Sequence, residues 1–335
     1  MSILLVVQAG HDGTERNERQ LTPFGGSTVL DTALARLRGF ADGPLVLAIS
    51  DLPPDDALED LARQRDAAAV RGPSDDMLAR FVEVIADYPA EHLVRVTAES
   101  PLIDHHVVSE VVREHLDSGA DYTSNTLLRT YPAGLDVEVI RSDALLDAAE
   151  QATAPAERSG VTTFVCRRPA EYRLHAAIAS GDYEDHDWRI VDEESLERIT
   201  GLLGKSGGDL ARSWDALLPY DRPIAPSGPV RLRVARANVE ASLPSFTETI
   251  GYPPDPFPIG DATRRSWGVW SDEELIGAIV VAVQNGWGTL TGRFLPRLSP
   301  TIAQQALAAL DERLLADDQT IALTIDGSRI RTYQH

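Results

Sequence analysis

The sequence predicts an α/β protein with a mostly parallel sheet, followed by a smaller α+β domain. Two features of the first two thirds of the chain support this prediction: short continuous apolar runs, and helical periodicity between them. The runs at residues 3–9, 45–49 and 93–97 are typical of strands that are covered on both faces. Strand–helix alternation of this kind favours parallel pairing, which places ligands at the carboxyl ends of the strands.

The apolar positions between these runs repeat with helical spacing and predict three helices. Their apolar faces consist of Val29, Leu30, Ala33, Leu34 and Leu37, then Leu58, Leu61 and Ala62, and then Met77, Leu78, Phe81, Val82 and Ile85. Ser74 and Asp75 precede the third face and are predicted to cap that helix, because short polar side chains accept hydrogen bonds from N-terminal amides.

A domain boundary is predicted where glycine and proline cluster, at residues 201–229. We divide the chain into a first domain (1–205), a linker (206–228) and a second domain (229–335). Residues 1–228 contain 21 basic and 40 acidic side chains, a net charge of −19, whereas residues 229–335 contain 10 and 12, a net charge of −2. The acidity therefore belongs to the first part of the chain.

The second domain has a different pattern. This pattern predicts, in order, a strand at 230–235, a helix at 239–250, a hairpin of 275–283 with 287–294, a helix at 302–315 and a strand at 320–325. Asn285 and Gly286 suit the type I′ turn of such a hairpin. The simplest interpretation is a docking or dimerising module with Trp267, Trp270 and Trp287 as core or interface anchors.

Composition excludes several classes of protein. The net charge of −21 argues against nucleic acid or an anionic membrane as the main partner, since both need a cationic surface. A hydrophobic content of 43% is ample for a buried core. The single cysteine, Cys166, excludes an intrachain disulfide and a Cys-rich zinc site. The apolar start at residues 3–9 has no basic flank and is too short for a signal peptide, so we expect a soluble cytoplasmic protein.

Six segments of the first domain occur in the order of one known family. They are ILLVVQAGHDGTERNERQLTPFGGSTVL (3–30), VRGPSDDMLARF (70–81), VRVTAESPLID (94–104), the segment from Asp121 to Val139, APAERSGV (154–161) and WRIVDEESLERI (188–199). Together they resemble the cytidylyltransferases of the spore-coat polysaccharide type, relatives of the enzymes that make CMP-linked acidic sugars. The resemblance covers residues 3–200 and implies a Rossmann-like nucleotidyltransferase fold that joins CTP to a sugar or sugar acid.

The resemblance also implies a Mg²⁺ site. Magnesium takes oxygen ligands, usually from one or two carboxylates, and neutralises charge on phosphate oxygens. Glu99 occupies the position of a family aspartate, and Asp192 that of the late family aspartate. The alternative interpretation is that Glu99 is a helix-start carboxylate and Asp192 an N-cap of the helix that follows it.

The first loop resembles the family's phosphate cradle only in part. The resemblance implies nucleotide contacts from Gln8, Ala9, Gly10, Gly13, Arg71, Gly72, Ser74 and Ala98, and phosphate contacts from Arg16 and Arg19. Gln8 is expected to face the base. However, Gly10 and Glu15 replace two family arginines, and Arg19 replaces a lysine. Acidic residues in a triphosphate site are unfavourable, so a loop that has lost its role remains an alternative.

On the acceptor side, the resemblance implies contacts from Asn125, Arg129, Tyr131, Asp136, Glu138 and Arg158. The planar guanidinium of Arg129 suits a carboxylate or phosphate. Residues 135–139 fit a plain amphipathic strand equally well. Ser159 and Gly160 replace a family Glu-His pair, which is a second departure. His105 and His106 are adjacent at a predicted helix start, where a surface role is expected because neighbouring helical side chains diverge.

The expected function is therefore Mg²⁺-dependent cytidylyl transfer to a sugar or sugar acid, by a homodimer. One alternative is an inactive relative that binds a nucleotide sugar or a partner enzyme. Another concerns the second domain, whose element order resembles the front half of a GNAT acyltransferase. That domain lacks the glycine-rich loop that holds acyl-CoA in such enzymes, since residues 297–303 read RLSPTIA.

Overall fold

The computed structural model describes residues 2–10, 19–127, 129–168, 171–181 and 183–223, together with the backbone of six strands between residues 230 and 332. The strands of the first part are β1 Ile3–Gln8, β2 Pro23–Phe24, β3 Ser27–Thr28, β4 Leu45–Ser50, β5 Ala68–Gly72, β6 His92–Thr97, β7 Tyr122–Ser124, β8 Glu138–Arg141 and β9 Leu174–Ala176. The helices are α1 Val29–Leu37, α2 Asp56–Gln64, α3 Met77–Asp87, α4 His105–Ser118, α5 Ser142–Gln151, α6 Pro155–Arg158, α7 Thr163–Cys166, α8 Glu193–Lys205 and α9 Trp214–Leu217. None of the described helices is both long and apolar enough to cross a bilayer.

Seven strands of this part form one sheet in the order β5-β4-β1-β6-β8-β7-β9. The pairs β5/β4, β4/β1, β1/β6 and β7/β9 are parallel. Strand β8 runs antiparallel to both of its neighbours. The prediction of a mostly parallel α/β sheet is therefore confirmed.

The apolar runs form strands because both faces of the sheet are covered. Alternate residues of β1 enter two different cores: Leu4 and Val6 pack under α3 and α5, whereas Leu5 and Val7 pack under α1 and α4. The predicted apolar face of α1 is completely buried. Truncating such a side chain to alanine typically costs about 2–5 kcal/mol, so this double core dominates the stability of the fold.

The predicted cap of α3 is wrong by one or two positions. Asp76 caps the helix, since its Oδ1 accepts a 2.9 Å hydrogen bond from Ala79 N. Residues 73–75 remain outside the helix because the carbonyls of Pro73 and Ser74 accept hydrogen bonds from the Arg80 guanidinium.

Strand β8 begins later than its alternating pattern indicates. The backbone of residues 135–137 pairs with Asn125 instead of continuing a ladder. Asn125 Nδ2 donates to Leu135 O at 2.7 Å, and Asn125 Oδ1 accepts from Val137 N at 2.9 Å. The side-chain amide thus replaces a neighbouring strand, and ladder pairing starts only at Glu138.

The C-terminal part contains a second sheet. Its strands are β10 Val230–Val234, β11 Arg264–Ser271, β12 Glu274–Gln284, β13 Trp287–Phe294, β14 Ala322–Ile325 and β15 Ser328–Thr332, adjacent in that order. The predicted hairpin is confirmed, since β12 and β13 pair antiparallel with Gln284 opposite Trp287. Strands β11 and β15 were not predicted. The predicted helices at 239–250 and 302–315 lie outside the described residues.

Candidate active site at the carboxyl edge of the sheet

The carboxyl ends of four parallel strands meet at one edge of the sheet. Gln8 at the end of β1 lies between Ala48 of β4 and Thr97 of β6, and Ser50 of β4 lies beside Gly72 of β5. The predicted nucleotide segments therefore lie together. Ala9 N donates to Ala48 O and Ala98 N to Gln8 O, each at 3.0 Å, which fixes the backbone where β1 and β6 end.

Gly10 turns the chain away from β1 in a conformation that favours glycine, with φ +86°. A Cβ atom at this position would lie 2.1 Å from Asp55 Oδ2 and 2.9 Å from Ser50 N. Asp55 is buried and accepts hydrogen bonds from Ser50 N (2.8 Å) and Ser50 Oγ (2.6 Å). A side chain as large as the family arginine would therefore overlap with Asp55, so the position of Asp55 requires a glycine at position 10.

A buried guanidinium joins the first turn to the segment after β5. Arg80 of α3 is completely buried and donates to Ala9 O (3.2 Å) and Pro73 O (3.0 Å). Gly72 packs against it, because a Cβ at Gly72 would lie 2.8 Å from Arg80 Cα. Sequence reasoning missed Arg80; the available signal was one charge inside the apolar stretch Met77–Asp87.

Arg71, a predicted nucleotide contact, has its guanidinium between α2 and the carbonyls of Ser50 (3.3 Å) and Leu52 (3.4 Å). It donates to Glu59 Oε2 at 2.7–2.8 Å and to Asp56 Oδ1 at 2.6 Å. The hydrogen bond to Glu59 is the main factor that raises the pKa of Arg71. The part of this segment that faces the first turn is therefore the backbone of residues 72–74 rather than the Arg71 side chain.

The two predicted metal ligands lie on segments that are joined by a backbone hydrogen bond. Ile190 N donates to Glu99 O at 3.1 Å, which brings the stretch before α8 alongside the turn after β6. Glu99 is half-buried in that turn and is not a helix-start residue, since α4 begins at His105 with Asp104 as its N-cap. The backbone at Glu99 and the segment that leads to Asp192 thus lie side by side.

Asp192 caps α8, as the alternative interpretation expected. Its Oδ1 accepts a 2.7 Å hydrogen bond from Ser195 N, and Ser195 Oγ completes a capping box. The hydrogen bonds from Ser195 are the main reason that the pKa of Asp192 is lowered, and the positive charges of Arg19 and Arg198 contribute. Arg19, a predicted phosphate ligand, therefore lies near Asp192. Gly13 and Arg16 lie outside the described residues.

The acceptor-side segment packs against the stretch that leads to Asp192. Ala133 N donates to His186 O (2.9 Å) and Trp188 N to Ala133 O (2.7 Å). Gly134, with φ +92°, permits this approach, since a Cβ there would lie 2.8 Å from Trp188 C. Asp136 and Asp187 are thereby brought to one surface.

Two ion pairs lie on that surface. Arg129 Nη1 donates to Asp136 Oδ1 and Arg189 Nη2 to Asp187 Oδ2, each at 2.6 Å. Burial raises the pKa of Asp187, but hydrogen bonds and charge from Arg189 outweigh burial and hold that pKa below its usual value. Arg198 also faces Asp187, and its Nη1 is buried with no hydrogen-bond partner among the described residues.

Three other predicted acceptor residues have structural contacts. The Asn125 amide binds the backbone of residues 135–137, as described above. Tyr131 is buried, with its ring centroid 5.4 Å from that of Trp214. Arg158 Nε donates to Asp76 Oδ2 at 2.5 Å, so it joins α6 to the start of α3.

Asp104, His105 and His106 bring three potential metal-ligand atoms within 4.8 Å of one another. Asp104, however, is buried and already accepts hydrogen bonds from His106 N (2.9 Å) and Trp214 N (2.8 Å). Its carboxylate is therefore needed to hold α4 and α9 in place, and we assign no ion to this group.

A mostly parallel sheet whose strands β5, β4, β1 and β6 end at one edge, with Glu99 in the turn after β6, is typical of nucleotide-binding α/β enzymes. Comparison with known proteins makes this specific. The profile of the family described as "Cytidylyltransferase" matches residues 6–202. The chain belongs to the cytidylyltransferase family, a family of nucleotidyltransferases.

The chain is also similar to individual proteins. The chain is 29% identical over 213 residues to the spore coat polysaccharide biosynthesis protein SpsF of Bacillus subtilis (strain 168), covering 61% of this chain and 88% of SpsF. It is 26% identical over 177 residues to an uncharacterised protein of Methanocaldococcus jannaschii, covering 52% and 71%. A solved cytidylyltransferase structure from Leptospira borgpetersenii has the same fold, with a TM-score of 0.62, 22% identity, and coverage of 65% and 93%.

Proposed function

We propose that this protein transfers the cytidylyl group of CTP to a sugar or sugar acid with the help of Mg²⁺. In this reaction an acceptor oxygen attacks the α-phosphorus, the bond to the β-phosphate breaks, and pyrophosphate leaves. The observation that carries the proposal is the backbone hydrogen bond between Ile190 and Glu99. It holds the segments of both candidate metal ligands side by side, next to the end of β6.

The residues present fit a magnesium ion. Glu99 and Asp192 offer the oxygen ligands that Mg²⁺ prefers, and the lowered pKa of Asp192 keeps its carboxylate ionised at neutral pH. The cap uses Oδ1 of Asp192, so Oδ2 is the atom that we assign to the metal. When bound, Mg²⁺ would supply positive charge against the phosphate oxygens.

We assign the nucleotide to the space between the first turn and residues 72–74. Ala9, Gly10 and Ala98 contribute backbone, Gly72 and Ser74 contribute the opposite wall, and Gln8 faces the base. Arg19 binds the phosphates, which its proximity to Asp192 supports. Arg71 stays a predicted nucleotide contact, although its guanidinium also binds Glu59 and Asp56 of α2.

We assign the acceptor to the surface of the two ion pairs. Arg129 binds Asp136 through both of its terminal nitrogens, and the positive charge of Arg198 acts on nearby Asp187. Guanidinium groups favour carboxylates and phosphates. This charge pattern supports an acidic sugar or a sugar phosphate as the acceptor.

The test is pyrophosphate release with each of the four nucleoside triphosphates against a panel of acidic sugars and sugar phosphates. We expect release with CTP and at least one acidic acceptor, abolished by chelation of the divalent ion. CTP binding without pyrophosphate release from any acceptor would favour the inactive relative that binds a nucleotide sugar or a pathway partner.

A further inference from the structure

Three polar side chains on neighbouring strands form a chain of contacts above one core. Gln8 of β1, Arg95 of β6 and Glu138 of β8 lie near the carboxyl edge, with Arg95 opposite Val6 on one side and Glu138 on the other. Arg95 Nε donates to Gln8 Oε1 at 2.6 Å, and Arg95 Nη1 to Glu138 Oε2 at 2.5 Å. Thr162 Oγ1 donates to the same Glu138 oxygen at 3.4 Å.

This arrangement fixes the orientation of the Gln8 amide. A guanidinium has only donors, so the amide must present its oxygen to Arg95 and direct its NH₂ group elsewhere. Glu138 holds Arg95 in turn; both side chains are mostly buried, with relative exposures of 19% and 14%. Within the described residues, Gln8 Nε2 has no hydrogen-bond partner.

We propose that Gln8 Nε2 reads the Watson–Crick edge of the cytosine base and that Arg95, held by Glu138, is the positioning residue that makes Gln8 a pure donor. This inference rests on the proposed function. Cytosine presents acceptors at N3 and O2, whereas uracil presents a donor at N3. An NH₂ group that faces position 3 of the base, with its amide oxygen held by Arg95, therefore favours CTP over UTP.

The position of Gln8 supports this role. It directly precedes Ala9, whose carbonyl binds Arg80, and Arg80 also binds the carbonyl of Pro73. Gln8 thus lies next to the place where Arg80 joins the turn after β1 to the segment after β5. Glu138, expected from the resemblance to contact the acceptor, instead acts on the nucleotide side through Arg95.

The test compares CTP and UTP binding by titration calorimetry, in the presence of Mg²⁺, for the wild type and two variants. Gln8→Glu keeps the size of the side chain and its contact with Arg95 but replaces the donor by an acceptor. Arg95→Met frees the amide to rotate without adding charge. We expect each variant to lower the CTP/UTP affinity ratio by roughly tenfold or more. In Gln8→Glu the donor to cytosine is replaced by an acceptor, and in Arg95→Met the donor is no longer held in place.

Arg141→Met is the matched control, because Arg141 lies on β8 and is paired with Asp143 at the far end of that strand. It should keep the wild-type ratio. If Arg95→Met fails to fold, Gln8→Glu alone decides. Wild-type protein that binds neither nucleotide would contradict the proposed function, and this inference with it. A wild type that prefers CTP, with folded variants that keep the same ratio, would overturn only the role of Gln8 and Arg95.

Discussion

At the scale of single residues, the turn after β1 shows how one side chain determines its neighbour. Asp55 fills the space beside Gly10 and accepts hydrogen bonds from both donors of Ser50, the backbone N–H and the hydroxyl. The sequence alone showed that the family arginine was missing, but not that a buried carboxylate had taken its space. Such a contact joins residues 45 positions apart through a turn, and no local pattern indicates it.

Gly10→Ala should destabilise the protein more than Gly26→Ala does. Both glycines have φ +86°, so both changes carry a conformational cost of about 1–2 kcal/mol. A Cβ at Gly26 meets nothing within 4 Å, whereas one at Gly10 displaces Asp55. The lost hydrogen bonds at Ser50 should add about 1–3 kcal/mol in urea unfolding. Equal losses in the two variants would show that Asp55 moves aside without cost.

At the scale of elements, α8 combines a helix cap with a candidate metal ligand. Asp192 stabilises the first turn of α8 through Ser195, and the same carboxylate lies near Arg19. The two interpretations of this residue from the sequence are therefore compatible. The sequence does not predict the backbone hydrogen bond between Ile190 and Glu99. It forms because residues 186–188 pair with Ala133, which directs the chain past the turn after β6.

Asp192→Asn and Asp192→Ala should separate the two roles. Asparagine still accepts the Ser195 hydrogen bond, so we expect a stability close to that of the wild type, whereas alanine should lose about 1 kcal/mol. Both variants should lose Mg²⁺-dependent CTP affinity. Urea unfolding and calorimetry measure the two effects. An asparagine variant with wild-type CTP affinity would show that Asp192 is only a cap.

The contact between β6 and α4 predicts sensitivity to acid. His115 is buried, and both of its ring nitrogens are hydrogen-bonded: Nε2 to His92 Nδ1 (3.0 Å) and Nδ1 to Thr123 Oγ1 (2.9 Å). The pKa of His115 is lowered from 6.5 to about 3, mainly by burial, and the charges of His92, Arg141 and His175 contribute. Between these two pH values His115 is protonated in the unfolded chain but neutral in the folded chain. The free energy of unfolding therefore falls as the pH drops below 6.5.

We expect the free energy of unfolding to fall by about 1–2 kcal/mol between pH 7.5 and pH 5 because of this residue. His115→Gln should flatten that part of the pH profile, whereas His106→Gln, at an exposed position, should leave it unchanged. Urea unfolding at a series of pH values measures the slope. A slope unaffected by His115→Gln would assign the acid sensitivity to other groups.

At the scale of the whole molecule, prediction succeeded where the pattern depends on local burial. Strands β1, β4 and β6 and helix α1 are continuous apolar or amphipathic stretches, and the structure has them within a residue or two. It failed where tertiary contacts replace a local rule. Arg80 lies in an apolar stretch because three carbonyls accept hydrogen bonds from it, and the Arg71 guanidinium is engaged by two carboxylates of α2 and by the carbonyls of Ser50 and Leu52.

The division of the chain remains a prediction that truncation tests. A protein that ends at Pro226 should fold and bind CTP like the full chain, since the sheet β5-β4-β1-β6-β8-β7-β9 is complete before that residue. We also predict that the protein is a homodimer held together by its C-terminal part, so the truncated chain should be a monomer. Light scattering and calorimetry measure the two properties. An insoluble truncated chain in repeated preparations would show that both parts share one core.

The central claim is that the carboxyl edge of the first sheet is a magnesium-dependent CTP site. Titration of CTP in the presence and absence of Mg²⁺, with wild type and Glu99→Gln, tests it most directly. We predict binding by the wild type with Mg²⁺, and a loss of at least roughly tenfold in affinity on chelation and in Glu99→Gln, with little change in thermal unfolding. CTP binding that is unaffected by Mg²⁺ and by Glu99→Gln, or no CTP binding at all, would contradict the claim.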